Sequence, residues 1–148
     1  MSSRGRSFIL LGVLVLMAGC TTKSAVFEGR SPEQVWTAMV AIAEEPRYDK
    51  WVVTENNVWV DSIYDRVEID RTLKRDHHST GSSAVRESQK LEMQLVLERT
   101  EPPAVTVTIR NAMIRGKGIM AIDHFFLELR ELLGLPSADA RATATVRD

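Results

Sequence analysis

The sequence predicts an α+β domain in which an antiparallel sheet of about five strands carries an N-terminal helix and a C-terminal helix on its apolar face. Three observations predict it. A capped helical segment follows a first β-prone stretch, roughly sixty residues of period-two alternation come next, and an apolar stripe at helical spacing closes the pattern.

The first strand is expected in AVFEG, beginning at Ala25. The segment SPEQVWTAMVAIAEEP then carries the start and stop signals of a helix. Ser31 is the N-cap, Pro32 suits the first turn, Glu33 favours the positive end and Gln34 completes a capping box. Pro46 stops it. Inside, Val35, Met39 and Ile42 lie beside Trp36, Val40 and Ala43, one broad apolar face that needs a sheet to cover.

The alternating region supplies that sheet. WVV and VWV flank Thr54-Glu55-Asn56-Asn57, a turn-prone stretch that predicts a hairpin. Val67, Ile69 and Leu73 share one face of the next strand; Leu91, Met93, Leu95 and Leu97 share one face of its successor. Val105, Val107 and Ile109 repeat the pattern after Pro102-Pro103. Between them DHHSTGSSAVRES reads as a polar loop. The closing helix is expected from about Ile119 to Leu133, with Ile119, Ile122, Phe126, Leu129 and Leu133 on one stripe and Gly134 and Pro136 ending it. Inward positions of the strands are nearly all aliphatic. The exception is Arg71, which shares parity with Val67, Ile69 and Leu73; it snorkels from the sheet edge, marks a bulge, or meets an anionic ligand.

The first twenty residues read as a targeting segment. Arg4 and Arg6 form a positive start, Phe8 to Met17 an apolar run, and Ala18-Gly19 the small residues a signal peptidase needs. The run is shorter than the ~20 residues a membrane-spanning helix requires. Cys20, the single cysteine of the 148 residues, follows directly and has no second thiol for a disulfide or a multi-cysteine zinc site.

LMAGC, residues 16 to 20, resembles the lipobox of bacterial lipoproteins. The resemblance implies that Leu16, Met17, Ala18 and Gly19 are recognised by the lipoprotein signal peptidase. It further implies that Cys20 receives a diacylglycerol and becomes the acylated N-terminus, anchored to the membrane by lipid. Met17 stands where leucine is commonest. Thr21 follows the cysteine in place of the aspartate that retains enterobacterial lipoproteins at the inner membrane, so the pattern implies the outer membrane, facing the periplasm.

The expected organisation is a signal peptide over 1–19, a lipidated N-terminus and short linker over 20–23, the α+β domain over 24–135, and a disordered tail over 136–148. The order of strand, helix, antiparallel strands and closing helix is that of a helix-grip domain. SPEQVW after a first strand resembles the START-like lipid-binding superfamily, and a domain of this kind also occurs in BamC, a lipoprotein of the outer-membrane assembly machinery.

A formal net charge of −1 gives no support to nucleic-acid binding. His77 and His78 beside Asp76 are adjacent, so their side chains diverge, and no metal is expected there. His124 lies opposite the apolar stripe and is expected at the surface. RGKG, residues 115 to 118, offers Lys117 to an anion but lacks a nucleotide-binding glycine pattern; a flexible strand-to-helix connection is the plainer reading. Trp36, Trp51 and Trp59 are expected as core and sheet cover. No G-x-S-x-G elbow is present. The sequence therefore predicts a non-catalytic structural or protein-interaction module without a cofactor, held to the membrane through Cys20 and meeting an envelope protein. The alternative is a carrier of a small apolar or lipid ligand between the last helix and the sheet, with Arg71 and Lys117 as anion contacts.

Overall fold

The structure, a computed structural model, describes residues 21–77, 85–111 and 115–136. Leu16, Met17, Ala18, Gly19, Cys20, His78 and the tail from Ser137 onward lie outside the described residues. The elements are β1 (Thr21–Val26), α1 (Pro32–Glu44), β2 (Val52–Asp61), β3 (Arg66–His77), β4 (Val85–Glu98), β5 (Ala104–Ile109) and α2 (Arg115–Leu132). The five strands form one antiparallel sheet in the order β1-β5-β4-β3-β2, and both helices pack on one of its faces.

α1 begins as its sequence requires: Gln34 N donates to Ser31 Oγ at 3.3 Å, while Ser31 N donates to Gln34 Oε1 at 3.0 Å. It buries Val35, Ala38, Met39, Ile42 and Ala43. Beneath it and α2 lie Val67, Ile69, Met93, Leu95, Leu97, Val105, Val107 and Ile109, all buried with Phe27, Ile122 and Leu129. Each such aliphatic side chain removed from water contributes on the order of 1.5–3 kcal/mol, so this shared layer holds the helices to the sheet. The opposite face of the sheet carries hydroxyl pairs, Thr22 with Thr108 at 3.0 Å and Ser24 with Thr106 at 2.7 Å, and further along it charged pairs such as Lys90 with Asp70.

Four expectations are corrected. Thr54 to Asn57 are no turn: β2 runs unbroken through them with a bulge between Val53 and Glu55. Asn56 points to the end of α1 instead, its Nδ2 donating to Ala43 O and Glu44 O at 3.0 Å each. The turn lies after Asp61, whose Oδ1 accepts from Ile63 N and Tyr64 N, and Asp65 closes it at φ 50°. β1 starts at Thr21, so residues 21–23 of the expected linker are strand.

The polar stretch expected as a loop is entered by strand from both sides, β3 reaching His77 and β4 starting at Val85. Charged cross-strand pairs, Arg75 with Glu87 and Arg86 with Asp76, hold this extension in place of apolar contacts. RGKG is likewise no connection but the first turn of α2. There Gly118 is buried beside β1, where an added Cβ would meet Thr21 Oγ1 at 3.4 Å, an ordinary contact distance. Gly134, at φ 64°, ends α2 as read, with Leu135 N donating to Arg130 O.

Candidate functional site

The strand register fixes where the chain enters the domain. Thr21 is level with Ile109, Ile109 with Met93, and Met93 with Ile69. Beyond that level β1 and β5 have ended, but β3 and β4 continue together to the pair His77 and Val85, eight residues past Met93. At about 3.4 Å per residue this ribbon projects some 27 Å past the start of β1. α2 begins at the same end, and the loop between α1 and β2 brings Tyr48 to Trp51 beside it.

Arg71 stands at the root of the ribbon and is 2% exposed. It neither snorkels nor occupies a bulge. Its Nη2 donates to Ala43 O at 2.7 Å, its Nε to Asn56 Oδ1 at 2.8 Å and its Nη1 to the Tyr48 hydroxyl at 2.9 Å. Ala43 is in the last turn of α1, where carbonyls lack helical partners and the macrodipole is negative. Arg71 and Asn56 thus cap α1 from the sheet, and the guanidinium is engaged by the protein's own groups. The sequence shows an odd cation at an inward position; it does not show that a helix end arrives above it.

Past Arg71 the inward face changes character. Leu73 and Leu91 are buried, but Arg75, Glu87 and Gln89 follow at the same parity. Together with Trp51, Lys117 and Met120 they line an open groove of about 580 Å³ between the ribbon and the first turns of α2. The expectation of a nearly aliphatic inward face fails here, because the strands outrun the helices and the face no longer meets an apolar partner. Arg75 donates from Nε and Nη2 to Glu87 Oε2 at 2.8 and 2.6 Å, and Lys117 Nζ donates to Oε1 at 3.1 Å. Arg75, foremost, and then Lys117 hold the Glu87 carboxyl below its ordinary value. The Arg75 guanidinium also covers the Trp51 ring, 4.5 Å from its centroid. Of the two expected anion contacts, Lys117 lies on this groove and Arg71 is sealed behind it.

Tyr48 and His124 form part of the groove's wall, with Arg47 and Glu128 behind them. His124 is not free at the surface: its ring stacks on Tyr48 at 4.7 Å, and Nε2 lies 2.6 Å from Arg47 O. Glu128, one turn on, accepts from Arg47 N at 2.9 Å. Burial raises the Glu128 carboxyl above its ordinary value, opposed by the Arg47 backbone hydrogen bond and by the charges of His124 and Arg71. Burial likewise raises the Tyr48 hydroxyl, against the pull of Arg71. These bonds tie the loop after α1 to α2. Trp51, Arg75 and Glu87 went unmarked as site residues in the sequence, although extending the parity of Leu73 and Leu91 by one step reaches Arg75 and Gln89.

Among the described residues no group of three His, Cys, Asp or Glu side chains is placed to hold a metal, and no helix is long and apolar enough to cross a membrane. Trp36 is half-buried against the core, while Trp59 is exposed on the far side of the sheet. No protein-family model and no curated protein matches the chain. Among solved structures, the crystal structure of protein CV1439 from Chromobacterium violaceum aligns with it at a TM-score of 0.43 and 13% identity, covering 78% of this chain and 97% of that one.

Proposed function

We propose that this protein is a lipid-anchored envelope lipoprotein, held through Cys20 to the outer membrane, whose domain faces the periplasm as a non-catalytic module that meets another envelope protein. The observation that supports it most is the filling of the interior. The layer between helices and sheet is closed by buried aliphatic side chains, and the inward cation Arg71 is engaged by Ala43, Asn56 and Tyr48. Among the described residues that layer is filled, and the reading therefore assigns function to the surface: the groove, the edge of β2 and the ribbon. Three of the groove's charged groups pair with one another, Glu87 being held by both Arg75 and Lys117, which suits recognition better than proton transfer.

Replacing Cys20 by Ala tests the anchor. Incorporation of labelled palmitate should disappear and the chain should leave the membrane fraction; label retained in that variant overturns the assignment. Crosslinking of the lipidated protein in native envelopes, read by mass spectrometry, should yield one reproducible protein partner.

The carrier reading keeps one observation in its favour. The groove's volume falls within the ~300–1,000 Å³ usual for small-ligand sites, and its floor is apolar at Leu73 and Leu91. Saturable binding of a fatty-acid probe by the mature domain, lost on Leu91→Gln, would establish it over the module.

A further inference from the structure

The point of attachment and the groove lie at the same end of the molecule, and their chemistry fits a membrane surface. β1 begins one residue after Cys20. A lipid on that cysteine would therefore be joined to the sheet without a flexible linker, and Thr21 is held by pairing with Ile109, with α2 packed alongside β1. Past this level lie the ribbon, the groove and the first turns of α2, together with the start of β2, the end of α1 and the loop that joins them. The turn holding Ile63 and Tyr64 is at the other end of the sheet, where Asp61 pairs with Arg66 and Arg66 with Val96.

Ile63 and Tyr64 at that other end are 84% and 72% exposed, so what sets the projecting end apart is that exposed apolar side chains stand beside a surplus of cations. Met120 is 71% exposed and Val85 60% exposed, both on the groove side of the ribbon. The first turn of α2 also carries Lys117 and no acid, the reverse of what the helix macrodipole favours. A helix start that forgoes this local stabilisation marks a place where another demand prevails. Around the groove Lys50, Arg75 and Lys117 face Asp49 and Glu87, three cations against two carboxylates, and Lys50 is exposed with no carboxylate partner among the described residues. Such a rim is attracted to a surface of anionic lipid, while exposed methionine and valine are accommodated among the upper acyl carbons.

We propose that the groove side of the ribbon and the first turns of α2 form a docking surface for the anionic phospholipids of the membrane that bears the anchor. In this arrangement Lys50 and Lys117 meet the headgroups, Met120 and Val85 enter the interface, and the domain is held in one orientation with the Ile63 turn pointing away. The inference rests on the reading of Cys20 as the lipidated residue.

Once Cys20 is a thioether the chain has no free thiol, so Met120→Cys and Ile63→Cys each introduce a single labelling site at an exposed position. The full lipidated chain, labelled there with a polarity-sensitive dye, is placed in vesicles of phosphatidylethanolamine and phosphatidylglycerol, with and without brominated acyl chains. The dye at position 120 should shift to the blue and be quenched several-fold more than the dye at position 63. Lys50→Gln with Lys117→Gln should abolish the difference while the protein stays on the vesicles. Equal quenching at the two positions, or a difference indifferent to the two lysines, overturns the proposal. Two labelled thiols per chain in place of one would show that Cys20 carries no lipid, a failure of the anchoring reading alone. The same dyes on the Cys20→Ala chain then decide: a response to phosphatidylglycerol at position 120 only upholds the docking surface without the anchor, and no response at either position removes it.

Discussion

At Val67 and Ile69 of β3 and from Met93 to Leu97 of β4, each side chain facing the helices is aliphatic and buried. A few steps along the same two strands, on the same face, stand Arg75, Glu87 and Gln89. The backbone pairing is continuous through both regions, so strand geometry does not distinguish them. What differs is the partner above: α1 and α2 cover the first region, and the ribbon outruns them in the second. The first region converts side chains into stability through exclusion of water. In the second, water reaches the face, ion pairs replace apolar contacts, and the surface becomes available for recognition.

The comparison breaks most visibly if the covered region is not filled. Leu95 is fully buried at its centre, so Leu95→Ala should cost about 2–5 kcal/mol in chemical denaturation, as expected when a close-packed core acquires a void. A loss well below that range would mean that a hollow already exists beneath the helices, and the carrier reading would gain. Arg71, at the border between the regions, sharpens the picture next. Arg71→Leu removes the donor to Asn56, Tyr48 and Ala43 and should cost about 2–3 kcal/mol through polar groups left unpaired. A neutral result would show that Arg71 is dispensable as the cap of α1.

Smaller effects test the start of α1 and the ribbon. Ser31→Ala breaks the capping box and should lower stability by about 1 kcal/mol, measurable as a shift in denaturation midpoint at unchanged slope. Least affected should be the ribbon. Glu87 is held below its ordinary value by Arg75 and Lys117, so its contribution is present above the unfolded carboxyl value of about 4.3 and is lost as pH falls through the folded one. Glu87→Gln should therefore flatten the acid side of the thermal-midpoint profile, with little change at neutral pH in high salt, where exposed pairs are screened. A large loss at neutral pH would mean that this pair supports the fold as the core does.

Much of the fold was legible because its signals are local. Ser31, Pro32 and Gln34 define a helix start within four residues, Gly134 defines an end, and the parity of Leu91, Met93, Leu95 and Leu97 states which face of a strand is dry. The misplaced hairpin shows where such reasoning stops. Asn56-Asn57 has turn-forming composition, but Asn56 serves the carbonyls of α1, a partner 12 and 13 residues distant in the chain. The candidate site was less legible for the same reason. Arg71 was visible as an anomaly, whereas its acceptors come from α1, the following loop and β2. Lys117 drew notice within RGKG, yet nothing nearby in sequence announces Glu87 or Trp51 across the groove.

By itself, then, the sequence determined the two helices, the faces that bury and most of the strands, and it carries a lipobox-like pattern, because periodicity, capping and a short recognition pattern are properties of neighbouring residues. The tertiary structure decided where the strands outrun the helices, that Arg71 closes a helix end, and that the groove shares an end with Thr21. Those depend on register and on the lengths of elements packed against one another, and hydrogen bonds between residues far apart in the chain leave no periodic trace along it.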